Sequence, residues 1–177
     1  DPDYGDAHAL LANVYLAEHR CDINVRPDPL GRALAMAARA SEVDPQNAYA
    51  HCWLAVVHFF RRENERFRAE AGRALALNPN DPETLADIGH YYAFMGEFET
   101  GVALTRAAIA LNPLHPGWYG FTFARDHYHR AEYEETLADL ERINMPGFYW
   151  SRLIEAAALG QLGRPAGDTV ASMLALK

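Results

Sequence analysis

Long apolar runs are missing from this chain: no stretch of its 177 residues approaches the roughly 20 apolar residues needed to cross a bilayer. The start, Asp1-Pro2-Asp3, lacks the basic and apolar regions of a secretory signal, so a soluble, cytoplasmic protein is expected. Cysteine is scarce. Cys21 and Cys52 form no Cys-x-x-Cys motif, which argues against metal or redox work, and both are expected to be reduced thiols. Positive charge is outweighed, 16 Lys and Arg against 24 Asp and Glu, a net charge of −8. A nucleic-acid backbone or an anionic membrane would meet net repulsion, so neither is an expected partner. Signatures of chemistry are absent too: there is no Gly-rich phosphate loop, no Gly-x-Ser-x-Gly, and no strand pattern leading into a candidate loop.

The eight histidines do not fill that gap. His127 and His129 stand two apart in Asp126-His127-Tyr128-His129 and point in different directions on a helix. His51 and His58 are about two helical turns apart, too far for one coordination shell, and there is no His-Glu-x-x-His. Packing or surface histidines are expected, with no metal, no cofactor and no catalytic residue. Glu132, Glu134 and Glu135, and the pair Glu97 and Glu99, read as solvated helix starts. The interleaved charges from Arg61 to Arg68 read as a turn followed by a solvated helix face.

What the chain does contain is a repeat. Pro45, Pro79 and Pro113 stand 34 residues apart, closing Ser-Glu-Val-Asp-Pro, Leu-Ala-Leu-Asn-Pro and Ile-Ala-Leu-Asn-Pro. A fixed period of this size marks small supersecondary units that bury their apolar faces only against one another. Nine and ten residues after Pro2, Pro45 and Pro79 come Leu11-Ala12, Leu54-Ala55 and Ile88-Gly89, and four residues beyond the first of each pair, on the same helical face, Tyr15, His58 and Tyr92. Five residues before each closing proline stand Ala40, Ala74 and Ala108, small enough for close helix approach. Met95-Gly96-Glu97-Phe98 reads as a turn with Gly96 at positive φ, and Leu162-Gly163-Arg164 repeats it. Each unit is therefore helix, turn, helix, and the fold class is all-α.

These residues resemble the tetratricopeptide repeat (TPR), most fully at Leu85, Ile88, Gly89, Tyr92, Gly96, Phe98, Ala108 and Pro113. The resemblance implies a right-handed α–α superhelix, a TPR solenoid in which first helices line a concave groove. About five repeats form a single array over 1–177: 4–45, 46–79, 80–113, 114–146, and a truncated 147–177. The first unit is longer than the period, and the surplus falls at 21–29, rich in turn formers and expected to protrude as a loop. The turn at His129-Arg130-Ala131 lacks the usual glycine, and the fifth unit's second helix is expected to be poor because it contains Pro165 and Gly167. The ending, Leu174-Ala175-Leu176-Lys177, resembles the approach to another closing proline, so more protein is expected on one or both sides of the chain.

In this family first-helix residues two, five, nine and twelve places into each unit hold a partner peptide. Carried over, with the fourth unit shifted by one for its longer entry loop, the candidates are as follows. The first unit supplies Asn13, with Asp6, Ala9 and Leu16; the second Tyr49, Val56 and Phe59, with Cys52 and Phe60. The third supplies Glu83, His90 and Phe94, with Ala86 and Ala93; the fourth Trp118, Phe121, Arg125 and Tyr128, with His129; the fifth Trp150, with Leu153. The set is aromatic and carries few charges. Large apolar residues at helical spacing usually pack inside, but some exposed apolar surface is expected from the set as a whole. The carboxylate clamp of chaperone-binding members is not expected: Asn13 matches one of its positions, but Ala9, Trp53, Glu83 and Asp87 stand where basic or amide groups are needed.

The expected function is a non-enzymatic scaffold binding a protein or peptide partner. Tyr92 to Glu99 and Ala158 to Arg164 further resemble repeat regions of bacterial multidomain signalling proteins that carry a nucleotide-cyclase or winged-helix domain, where any catalysis would lie. The alternative is a self-association module that dimerises an attached domain through the array ends.

Overall fold

The computed structural model describes residues 3–24, 26–143, 145 and 147–176. Pro2, Pro146 at the end of the fourth repeat and Val25 of the expected loop lie outside the described residues. The described residues form α-helices and one short 3₁₀ segment, with no strand among them. In chain order the helices are α1 (Gly5–Cys21), α2 (Pro29–Val43), α3 (Ala48–Phe60), α4 (Asn64–Leu77), α5 (Pro82–Phe94), α6 (Phe98–Leu111), α7 (Phe121–His129), α8 (Tyr133–Ile143), α9 (Tyr149–Gln161) and α10 (Gly167–Ala175). The chain divides within α5 into two compact units, Asp1–Tyr91 and Tyr92–Lys177.

The closing prolines act through the residue before them. Asp44, Asn78 and Asn112 have ψ of 88°, 86° and 85°, out of the helical range as proline imposes on its predecessor. Their amide N–H groups still donate back to Ala40, Ala74 and Ala108, at 3.1, 3.1 and 2.9 Å. Those alanines have no exposed surface. A larger side chain there would force the neighbouring helix away, because a packed interior has little free volume to absorb it.

Four turns between helices share one geometry. The second residue after α3, α5, α7 and α9 is left-handed: Arg62 (φ 62°), Gly96 (85°), Ala131 (61°) and Gly163 (67°). The next amide then reaches back five residues, Glu63 to His58, Glu97 to Tyr92, Glu132 to His127 and Arg164 to Leu159, at 2.9 to 3.0 Å. This is the Schellman closure, in which a left-handed residue lets the following amide satisfy an orphan helix carbonyl. Glycine takes that conformation freely, whereas Arg62 and Ala131 are strained by their Cβ.

In the first unit α1 packs on α2, both meet α3, and α3 packs on α4. The core is rich in alanine, including Ala9, Ala12, Ala33, Ala37, Ala50 and Ala71, with Leu16 and Phe67 as larger fillers. Every residue from Ala50 to His58 is buried, as expected of a helix apolar on all sides and enclosed by others. Segment 22–28 links α1 to α2 through three left-handed residues, Asp22, Asn24 and Asp28. It is tied to α1 by Asn24 Nδ2, which donates to Glu18 Oε1 at 2.7 Å. Glu18, only 7% exposed, also accepts from Arg32 of α2, and that hydrogen bond holds its carboxyl below the usual range.

In the second unit Phe121, Ala124, Leu140 and Ile143 form a core that Phe148 and Ile154 cover. Entry to α7 is a 3₁₀ segment, Gly117–Gly120, where the sequence suggested a longer loop. A Cβ on Gly117 would lie 2.0 Å from the Ile143 carbonyl oxygen, so this segment passes against the end of α8 only because glycine is there. Pro165 falls before α10, and Gly167 is its first residue. The helix packs on α9 yet buries no residue.

Two substitutions isolate the cost of the left-handed turn position. Gly96 has φ 85° and open space where a Cβ would stand, so Gly96→Ala is expected to cost about 1 kcal/mol from strain alone. Ala131→Gly relieves the same strain and is expected to stabilise by roughly 0.5 kcal/mol after the entropy lost in the unfolded chain. Urea melts of the two variants check the opposite signs.

Candidate functional site

First-helix residues of the first unit form a polar and aromatic cluster. Arg20, in the last turn of α1, donates through Nη2 to Asn13 Oδ1 and through Nη1 to the Tyr91 hydroxyl of α5, both at 3.1 Å. Tyr91 is 4% exposed, and burial pushes its phenol up to about 12. Phe59 and Phe60 lie 4.8 and 5.8 Å from its ring, and His19 lies edge-on to Phe60 at 5.7 Å. Tyr49 meets Trp53 edge-on at 5.9 Å, and its phenol is raised, by burial first. Val56 has no exposed surface and Cys52 almost none, its thiol pushed well up by burial. His90 is half-buried with its ring 5.5 Å from Tyr91, and Glu83 is exposed. Asp87 is the unusual member: burial, then the Glu83 carboxylate, pushes its carboxyl up to about 7 against the opposing pull of Arg20.

In the second unit the central feature is a cation stacked on aromatic rings. The Arg125 guanidinium of α7 lies 3.7 Å from the centroid of Phe94 and 5.8 Å from that of Phe98. His129 stacks on Phe98 at 4.5 Å with planes 19° apart. Arg125 Nη1 is buried without a hydrogen-bond partner, and burial alone pulls the group down to about 10. Its neighbour in sequence, Asp126, is taken up by Arg130 at 2.9 Å. Phe121 is inside the core, Trp118 is part-exposed against Tyr119 at 4.5 Å, and Tyr128 meets Tyr133 at 5.5 Å. Trp150, 46% exposed, and Leu153, 36% exposed, lie on α9.

Three of the eight histidines are engaged by carboxylates of neighbouring elements. Each bond joins a ring Nδ1 to a carboxylate oxygen: His51 to Glu70 at 2.6 Å, His58 to Glu63 at 2.7 Å, His127 to Asp139 at 2.8 Å. Among the described residues no three His, Cys, Asp or Glu side chains gather as a metal site, and no helix is long and apolar enough to cross a membrane. A cavity of about 480 Å³ lies between α8 and α9, walled by Leu137, Leu140, Ile143 and Leu159 and rimmed by Arg152 and Arg164.

Sequence reasoning missed Arg20 and the special position of Asp87. Arg20 lies beyond the offsets that define the first-helix face, and only the greater length of α1 hinted that a residue there could reach another helix. Arg125 was named, but nothing in its spacing signalled that it would be stacked and unpaired.

No family model matches the chain, and no curated protein matches it in sequence. Solved structures do match in fold. A structure of PilF from Pseudomonas aeruginosa has a TM-score of 0.76 at 20% identity, covering 98% of this chain and 77% of that one. YrrB, described as a TPR protein with an unusual peptide-binding site, gives 0.58 at 15% identity, over 96% and 84% of the two chains. A tetratricopeptide repeat protein from Parabacteroides merdae gives 0.66 at 18% identity, over 93% and 62%. At these identities the likeness is one of fold. Together with the helix pairs and their closing prolines, it makes this chain an all-α protein with the TPR fold.

Asp87 supplies a test of the first-unit cluster. An aspartate held above its unfolded value of about 4 takes up a proton on folding, so its cost is absent below that pH and grows until about pH 7. Asp87→Asn removes the charge at every pH. The variant is expected to be more stable than wild type at pH 8 by roughly 1–3 kcal/mol, with the gap closing near pH 4. Thermal melts across this range check it, and parallel pH profiles would contradict it.

Proposed function

We propose that the chain is a non-enzymatic protein-interaction module that receives a segment of a protein or peptide partner on its first-helix residues. The observation that carries this reading is the aromatic and apolar surface left exposed on those helices in the second unit, Phe94 at 37%, Trp150 at 46% and Leu153 at 36%, beside part-exposed Trp118. Aromatic and arginine side chains are the types that most often dominate binding energy. The peptide-binding site stated for YrrB, a protein of the same fold, is consistent with it. Asn13, Tyr49, Phe59, Glu83 and His90 in the first unit, and Arg125 and Tyr128 in the second, are the further contact candidates. Val56 and Phe121, closed inside, would act by supporting them. The module would serve a larger cytoplasmic, bacterial signalling protein, with any catalysis in another domain, and its acidity disfavours nucleic acid. A binding screen with this chain, followed by Phe94→Ala and Trp118→Ala, tests the reading: a folded double variant should lose at least tenfold in affinity for a captured partner, as expected of buried aromatic anchors. Unchanged affinity would sink it.

A second reading, self-association, draws on α10. The helix buries nothing, and Val170, Leu174 and Leu176 are 37%, 60% and 41% exposed. Under this reading the sedimentation coefficient rises with concentration and Leu174→Glu abolishes the rise. A concentration-independent monomer rules it out.

A further inference from the structure

Among the described residues, four of the six arginines of the second unit form ion pairs. Arg130 pairs with Asp126, Arg142 with Asp139, Arg152 with Glu155 and Arg164 with Glu134. Arg125 has no ion pair and no hydrogen bond among the described residues; it is held only by the faces of Phe94 and Phe98. A ring face attracts a cation but does not satisfy N–H donors, and a buried donor left unpaired carries its full desolvation penalty. A planar guanidinium fixed by stacking, with Nη1 enclosed and the side chain otherwise part-exposed, is held ready to donate charge-assisted N–H bonds to a carboxylate from its exposed part.

We infer that Arg125, clamped on Phe94 beside Phe98 and His129, is the receptor for an acidic side chain of the partner segment, a single Asp or Glu set among apolar residues. This rests on the interaction reading above and names the chemistry at one point of it. A side-chain carboxylate fits better than a polyanion, because the chain carries a net charge of −8 and offers one cation here, not a cluster. The flanking apolar residues follow from the rings around the guanidinium and from Phe94, which is 37% exposed.

The test uses the whole 177-residue chain and a display library of random 12-residue peptides, re-synthesised with amidated C-termini so that side chains are the only carboxylates. Selected binders are expected to share one acidic position. Replacing it by the amide should weaken binding to the wild-type protein roughly ten- to hundredfold, as for loss of a charge-assisted pair. Arg125→Gln should cause a similar loss for the acidic peptide and none for its amide version. Arg125→Lys should rescue only part of it, since an ammonium keeps the charge but not the stacked fork. The peptide-side change needs no protein variant to fold, and circular dichroism melts establish that the Arg125 variants do. Binders without a shared acid, an acid-to-amide change without effect, equal losses for both peptides on Arg125→Gln, or binding that requires a free C-terminus would each overturn this inference while leaving the interaction reading standing. A library that yields no binder would overturn both.

Discussion

The fold rests on helices that approach one another at alanine. Where Ala40, Ala74 and Ala108 close their helices, each residue both removes side-chain bulk from the crossing and supplies the carbonyl that the pre-proline amide uses. Small side chains cover little area, so each contributes little burial energy by itself. The benefit is backbone proximity, which lets larger neighbours such as Leu16, Phe67 and Ile88 be enclosed completely. A proline at the following position stops the helix at the same place each time. Register, crossing and length are thereby settled together, and the alternation of first and second helices follows from it.

That economy explains which parts of the chain could be read from sequence. Proline acts covalently on its own neighbour, so the ends of α2, α4 and α6 were legible from Pro45, Pro79 and Pro113. Gly96 and Gly163 were legible because glycine is cheap at positive φ. The turns at Arg62 and Ala131 were legible as turns but their left-handed residues were not, because there the closing hydrogen bond prevails over the residue's own preference. The extra length before α7 was visible as spacing, but its 3₁₀ form depends on Gly117 passing the Ile143 carbonyl, a contact between residues far apart in the chain.

The candidate site was legible in direction and not in depth. Helical offsets say which way a side chain points, and they placed Phe94, Arg125 and Trp150 together with Val56 and Phe121. They do not say what covers it. Val56 is enclosed because α3 is surrounded, and Phe121 because Leu140, Ile143 and Phe148 close over it. Arg20 escaped the pattern altogether: its role comes from a hydrogen bond to Tyr91, 71 residues away, and no local rule connects those two positions.

Charged groups are not all answered from within, and the exceptions bear on what a repeat scaffold can carry. In the first unit two charged groups have internal partners: Glu18 accepts from Arg32 and Asn24, and Arg20 is shared between Asn13 and Tyr91. Such closed networks rigidify a surface but leave little for an outside group to exchange. In the second unit the aromatic surface around Arg125 contains a donor, Nη1, that no acceptor among the described residues meets. Repeat packing does not require this, since an apolar residue of similar length could lie across Phe94 without the desolvation cost. Arg125 gains the attraction of the ring faces but bears the desolvation of an unpaired donor, so folding accounts for its stacked position and not for its choice over an apolar residue.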